Sequence, residues 1–372
     1  MDRETQRGLV RRLLAKVQDP TVESHNGTTR LGVGRYLDSS VADRERSHIF
    51  RRHPIAVAHT SELTDSGDFR RAEVAGVPLV VVRDGERVRA FVNACRHRGA
   101  RLVDEHGGCG KKAFTCPYHA WSYKLDGELL HVPNAEVFGD LDLRDFSLAA
   151  VPCQVRHGMV WVQLEGEIDV AGYLDALDAD FSGFDLQNHR SEETVSHRTA
   201  ANWKLIMDAF AEGYHLRSLH RKSLSRFFLE SSILDPCGRH IRQLGARKSL
   251  LERGMEGDFR ENTTLFYNVF PNSVLVFHPL FISWMTLFPR GVGEVDVIHR
   301  MLVPPGDREP EQRTREVRSF AHIDGQVFEK EDLAISESIQ STLASGVNTE
   351  VTLGGMEEGM RLFHATWADA MI

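Results

Sequence analysis

Residues 95 to 119 read C-R-H-R-G-A-R-L-V-D-E-H-G-G-C-G-K-K-A-F-T-C-P-Y-H. Two Cys-His pairs stand in this stretch, Cys95/His97 and Cys116/His119, at C-x-H and C-x2-H spacing with eighteen residues between them. Two thiolates and two imidazoles make a four-ligand metal site. A tetrahedral zinc accepts such a set, but zinc frames usually keep Cys with Cys and His with His, whereas each short loop here offers one of each. The mixed pairs suit a Rieske [2Fe-2S] cluster, in which the cysteines hold one iron and the histidines the other.

The flanking letters, C-R-H-R-G-A and C-P-Y-H-A-W-S-Y, closely resemble the cluster loops of the Rieske non-haem iron ring-hydroxylating oxygenases. Length leaves room for more than a cluster module. At 372 residues the chain exceeds one usual core, and about 100 to 200 residues per domain gives an expectation of two. Apolar residues at 41% and charged residues at 26% describe an ordinary soluble composition. The formal charge of -8 and the lack of a dense Lys/Arg block argue against nucleic acid as a partner.

The N-terminus M-D-R-E-T-Q-R-G-L-V-R-R has no apolar core of signal-peptide length, and no later run approaches the ~18 residues of a membrane span. A cytoplasmic protein without membrane association is expected. Beyond the two cluster cysteines, Cys109, Cys153 and Cys237 are an odd and scattered remainder, which is no disulfide framework.

In chain order, Leu9, Val10, Leu13, Leu14 and Val17 recur at helical spacing, and a second short helix is expected from about Val41 to Arg51, capped by Ser39 or Ser40. From Ile55 the texture changes to short β-rich runs: Val74 to Val82, Arg87 to Ala94, Ala113 to Cys116, Trp121 to Leu125, Leu148 to Val155 and Met159 to Leu164. Hairpins separated by turns such as Asp84-Gly85 and Asp126-Gly127 read as a small antiparallel domain whose edge falls near Glu165. The ligand pairs follow strands, so two hairpin tips can pinch a cluster between them.

A second stretch, Asn202 to His220, reads N-W-K-L-I-M-D-A-F-A-E-G-Y-H-L-R-S-L-H. Trp203, Ile206, Met207, Phe210 and Tyr214 form one apolar stripe of a helix. The opposite side mixes Leu205, Leu216 and Leu219 with Asp208 and Glu212, which suggests a helix buried all round with carboxylates that need partners. His215 and His220 lie about 140° apart around an ideal helix and cannot converge on one metal unless the last turn is loosened or bulged. On spacing alone, a structural pair and a metal-binding pair both stand.

The order N-W-K, an acid, then Y-H, then four residues and H is similar to the mononuclear iron motif of the same oxygenase family. The resemblance implies that His215 and His220 are iron(II) ligands and that Glu212 is the carboxylate linking cluster and iron. Glu at the linking position, where many relatives have Asp, hints at members acting on quaternary ammonium compounds. The sequence departs from the family in reading Asp208-Ala209-Phe210 for E-N-F, and in placing Ala120 where C-x-x-H-G-W has Gly. Two histidines and a carboxylate would complete a facial triad with open positions for O2 and substrate.

In the helical pattern from Asp324 to Ala344, Asp332 shares a face with Phe328, Ile335, Ile339 and Leu343. An acid in an apolar stripe is costly unless paired or metal-bound, whereas Glu329, Glu331 and Glu337 lie off it. E-D-L-A-I-S-E-S-I-Q also resembles the family segment that supplies the third ligand, so Asp332 is the choice and Glu331 the runner-up. Leu265 to Phe277, Phe281 to Phe288 and Glu294 to Val303 read as long strands. Their aromatic residues are chiefly core, and the remainder line a pocket.

The expected architecture is α+β: an N-terminal helical arm (1–50), an antiparallel β Rieske domain (51–165), and a catalytic mononuclear iron domain (166–372) with an antiparallel sheet covered by helices, of helix-grip type. The resemblance covers nearly the whole chain. It implies the terminal oxygenase component of a multicomponent system, hydroxylating an aromatic or other small organic substrate with O2, or demethylating a quaternary ammonium or methylated compound. No G-x-G-x-x-G occurs, so electrons from NAD(P)H must come through a separate reductase, with or without a ferredoxin, and Arg96 and Arg98 are candidates for docking it. Family members form head-to-tail rings, usually homotrimers, in which the cluster of one subunit abuts the iron of the next. A reading of another class, a Rieske electron-transfer protein without oxygenase activity, needs only about half this chain and no triad.

Overall fold

The computed structural model describes residues 1–21, 27–140 and 142–372. It divides into two compact units, Phe50–Leu174 and a second made of Met1–Ile49 with Asp175–Ile372.

The sheets of the Phe50–Leu174 unit are all antiparallel. Strands Ala150–Val151, Arg87–Val92, Val77–Asp84, Phe69–Val74 and Gly107–Gly108 form one sheet in that order, Cys153–Arg156, Met159–Val162 and Ile55–His59 form another, and three short strands at Phe114–Thr115, Ser122–Tyr123 and Leu129–His131 form a third. The expected single strand from Val74 to Val82 is instead the end of one strand and most of the next. Ala75 and Gly76 both take positive φ, 51° and 76°, and close a tight hairpin. Ala-Gly is a weak sequence signal for a turn that usually shows Asn-Gly or Asp-Gly. The unit also runs on past Glu165, because Gln154 reaches out of its strand to hold Ile168 O at 2.8 Å and Val170 N at 3.0 Å. Phe69, Val80, Val82, Phe91, Phe114, Trp121 and Tyr123 fill a core that includes Cys95 and Cys116.

In the other unit, seven antiparallel strands run in the order Arg190–Thr199, Glu294–Val303, Ile282–Gly291, Ser273–Phe277, Thr263–Val269, His240–Arg247, Phe228–Cys237. The N-terminal arm is part of this unit. Its first helix, Arg3–Gln18, packs on the last strand of the sheet, and Arg12 donates to Asp235 at 2.8 Å. The second helical segment is broken into Gly34–Leu37, Ser39–Arg44 and a π-helical Glu45–Phe50, and Asp38 rather than a serine caps Ser39–Arg44 by accepting from Ser40 N at 2.8 Å. Asp38 starts a helix of its own only because the preceding one stops at Leu37, which the sequence pattern did not separate.

Buried Glu45 then holds three donors: Lys204 Nζ, Trp203 Nε1 at 3.0 Å and Trp367 Nε1 at 2.7 Å. Asp208, the carboxylate expected inside the helix, is likewise satisfied by Tyr36 Oη at 2.7 Å and His364 Nε2 at 2.9 Å. These contacts fix the helix Trp203–Ala209 between the arm and the C-terminal helix Glu358–Ala370. No helix among the described residues is long and apolar enough to cross a membrane.

Candidate metal centres

Each cluster loop is a tight turn closed on its own cysteine. Cys95 N donates to Ala100 O and Gly99 N to Cys95 O, at 2.7 and 2.8 Å, while Cys116 N donates to Trp121 O and Ala120 N to Cys116 O, at 2.8 and 3.0 Å. The turns place Cys95 and Cys116 in the core, each 3% exposed and neither in a disulfide, and bring the His97 and His119 rings to 4.8 Å at the surface. Trp121 stacks on His97 at 4.9 Å and orients it. Tyr123 Oη contacts Cys95 Sγ at 3.2 Å and accepts from Arg96 N at 2.9 Å; burial, then the thiol contact, raise its pKa.

Among the described residues only His215, His220 and Asp332 bring three metal-ligating atoms within 4.8 Å of one another. At the loops, buried thiols with imidazoles at the surface fit a group with thiolates inside and imidazoles outside.

The family glycine replaced by Ala120 has a physical reason, since Ala120 takes φ +58° in its turn. Left-handed backbone costs a non-glycine residue roughly 1–2 kcal/mol, partly offset by the greater unfolded-state freedom of glycine. Ala120→Gly should therefore stabilise this unit by about 0.5–1 kcal/mol. Urea unfolding followed by the visible absorption of the cluster checks this, and an unchanged or lower midpoint counts against it.

The mononuclear site depends on two irregular helices. Trp203–Ala209, capped by the Asn202 side chain, stops at Ala209, and a 3-10 turn follows at Tyr214–Arg217. The break abolishes the 140° divergence expected of a regular helix, and the His215 and His220 rings lie 5.0 Å apart. It also puts Tyr214, expected in the apolar stripe, at 63% exposure. Opposite, Ile323–Leu333 is π-helical before Ala334–Leu343 continues as an α-helix. Such segments are frequent at functional sites. Here the wider turn lets consecutive residues serve opposite sides of one ring: Asp332 Oδ1 is 3.1 Å from His220 Nε2 and 3.9 Å from His215 Nε2, while Glu331 Oε2 is 2.6 Å from His220 Nδ1. The shifted helical phase leaves Ile335, expected on the apolar face, 39% exposed.

Asp332 Oδ1 is buried and accepts no hydrogen bond of sound geometry. A buried carboxylate oxygen facing two imidazole nitrogens with no hydrogen bond of sound geometry to either fits a metal ion. Both rings are held from behind. His215 Nδ1 is paired with Glu212 and His220 Nδ1 with Glu331, which also accepts from Ser223 Oγ at 2.6 Å, so each Nε2 is presented to the Asp332 side. Burial opposes charge on His220, but the Asp332 and Glu331 carboxylates outweigh it and raise its pKa; burial would raise that of Glu331, but Ser223 and His220 lower it.

A cavity of about 1240 Å³ opens on the site, walled by Phe210, Phe228, Phe266, Phe328 and Met285. Sequence reasoning missed the polar group behind the His299 and Ser283 that line it. Asp324 Oδ1 receives His299 Nδ1 at 2.7 Å and His197 Nε2 at 2.8 Å, and His299 Nε2 meets Ser283 Oγ at 2.9 Å. Burial raises the Asp324 pKa, but the two histidines lower it overall. The available signal was His299 among the apolar inward residues Val295, Val297 and Met301 of its strand.

Residues 186–372 match the catalytic domain of the ring hydroxylating alpha subunit, and residues 53–150 match the Rieske [2Fe-2S] domain. The chain belongs to the ring-hydroxylating alpha subunits. It is an oxidoreductase, the terminal oxygenase component of a Rieske system, and its cofactors are a Rieske [2Fe-2S] cluster and a mononuclear iron. The catalytic-domain match removes the plain electron carrier. This alpha subunit is 29% identical over 317 residues to the carnitine monooxygenase oxygenase subunit of Escherichia coli (strain K12), covering 83% of each chain. It is 31% identical over 204 residues, 54% of this chain and 47% of the relative, to the glycine betaine monooxygenase oxygenase subunit of Pseudomonas aeruginosa (strain UCBPP-PA14). Its fold matches a quaternary ammonium Rieske monooxygenase in complex with L-carnitine, with a TM-score of 0.81 at 23% identity over 93% of this chain and 96% of that one.

Proposed function

We propose that this subunit hydroxylates a methyl or methylene carbon next to nitrogen in a small quaternary ammonium or methylated compound, so that the product loses an alkyl group. The carnitine and glycine betaine relatives support this reading over ring hydroxylation, as does Glu at position 212. In it His215, His220 and Asp332 hold the mononuclear iron, and Cys95, His97, Cys116 and His119 hold the cluster. The observation that carries the iron site is the unpartnered Asp332 Oδ1 facing two Nε2 atoms. When bound, the iron activates O2 for insertion into the substrate. The protein's own work is to fix both imidazoles through Glu212 and Glu331 and to shield the reacting carbon from water with Phe210, Phe228, Phe266 and Phe328.

In the same proposal the subunits form a homotrimeric ring, and a separate NAD(P)H-dependent reductase, with or without a ferredoxin, docks near the exposed Arg96 and Arg98. Cys109, Cys153 and Cys237, outside the cluster set and in no disulfide, support a cytoplasmic location. Metal analysis should give three irons per chain. Incubation of a methylated ammonium panel with O2 and a reconstituted reductase should give a dealkylated product by mass. Ring hydroxylation of an aromatic panel with no dealkylation would overturn the substrate class.

His119→Cys should keep a [2Fe-2S] cluster but lower its reduction potential, on the order of 100 mV or more, because imidazole ligation is what raises it. A redox titration followed by visible absorption measures this. An unchanged potential would remove His119 from the ligand set.

A further inference from the structure

Five carboxylates line the cavity: Asp332 faces the two imidazoles of the proposed iron site, and the other four each have a basic partner, Glu212 with His215, Glu230 with Arg217, Glu261 with Arg253 and Glu358 with Arg361. Arg247 lines the same cavity, half-buried, and among the described residues no carboxylate pairs with it. Its one hydrogen bond is Nη1 to Thr264 Oγ1 at 3.3 Å, and the rings of Phe228 and Phe227 flank it at 5.3 and 5.8 Å. A guanidinium carries five donors in a planar fork, so most of its hydrogen-bonding capacity is uncommitted. Burial without a counter-charge lowers its pKa.

The sheet explains why the group leans into the cavity. Gly245 and Thr264 are cross-strand partners, one inward row from the pair Gln243 and Phe266, and the absent side chain at Gly245 leaves space over that row. Two residues of strand span about 7 Å, so the guanidinium over Thr264 sits that far from the Gln243 row, which lies under Gly213 beside Glu212. His278 is pushed down to about 3 by burial first and then by His299, Arg260 and Arg247, and Arg260 is committed to the carbonyl oxygens of His278 and Phe281.

We infer that Arg247 is the anchor for an anionic group, a carboxylate or sulfonate, carried by the substrate at the end remote from the reacting carbon. The inference rests on the proposed role of this cavity as the substrate site. A bidentate anion would supply the missing counter-charge and fix the distance from anchor to reacting atom.

The test is equilibrium binding by calorimetry to the metal-loaded enzyme, without reductant, using matched pairs: benzoate with benzamide, and 4-(trimethylammonio)butyrate with its methyl ester. In at least one pair the acid should bind the wild type tenfold or more tighter than its uncharged partner. That ratio should collapse to within about twofold in Arg247→Gln and be partly kept in Arg247→Lys. Should Arg247→Gln fail to fold, a several-fold fall of the ratio in Arg247→Lys carries the test. Equal affinities within every pair in the wild type, no binding of either acid, or a preference that survives the Arg247 substitutions would overturn the anchor. Failure of the oxygenase reading would show instead in iron content and turnover, neither of which enters this ratio.

Discussion

Asp332→Ala is expected to lose the mononuclear iron, falling from three irons per chain to two, and with it all oxygenation, while the visible absorption of the cluster is retained. The carboxylate is buried, its Oδ1 lies 3.1 Å from His220 Nε2, and that oxygen accepts no hydrogen bond of sound geometry. Removing it leaves two imidazoles, too few ligands for a facial site. Glu331→Ala provides the contrast, because Glu331 addresses His220 from the far side of the ring at 2.6 Å. Losing such a supporting contact typically costs 10- to 100-fold in metal affinity, so this variant should reload at raised iron concentration where Asp332→Ala does not. Metal analysis after dialysis against graded iron separates the two. Full iron and turnover in Asp332→Ala, with their loss in Glu331→Ala, would assign the third ligand to the wrong neighbour.

The parts of this site that could be read from sequence are those whose chemistry is local. Cys95, His97, Cys116 and His119, the proposed cluster ligands, stand out because their types and spacing lie on short loops whose hydrogen bonds span only a few residues. Asp332 is visible as an acid out of place on an apolar face. The convergence of His215 with His220 is different. It needs the helix to stop at Ala209, and no Gly or Pro signals the stop there. The stop is set by distant partners instead, since Asp208 is held by Tyr36 and His364, 172 and 156 residues away in the chain.

The phase of Ile323–Leu333 was equally hidden, because a π-helical turn has no period that α-helical spacing would reveal. Asp324 and Arg247 were missed for the same reason. Their meaning lies in which strands face them across the sheet, and that register is fixed only when the whole fold closes.

Glu212→Gln is expected to keep both metals and the oligomer yet slow electron transfer from cluster to iron by at least about tenfold. Within this chain the Glu212 carboxylate already binds His215 Nδ1 and the backbone N–H groups of Tyr214 and His215, so it buttresses the proposed iron ligand from behind. In the proposed ring its remaining acceptor capacity would take a hydrogen bond from His119 of the next subunit, shielded from water and satisfied only when the ring is closed. Gln keeps the size but removes the charge and replaces one acceptor with a donor, which cannot face an imidazole N–H. One charge-assisted hydrogen bond contributes about 1.5–3 kcal/mol, which corresponds to roughly 10- to 150-fold in rate if it is lost from the coupling path. The decisive measurement is single-turnover oxidation of the prereduced cluster with substrate and O2 present, with three irons per chain verified first. A wild-type rate in Glu212→Gln would refute the bridge. An active monomer on a sizing column would refute the ring while leaving the contact between Glu212 and His215 intact as support for the iron site alone.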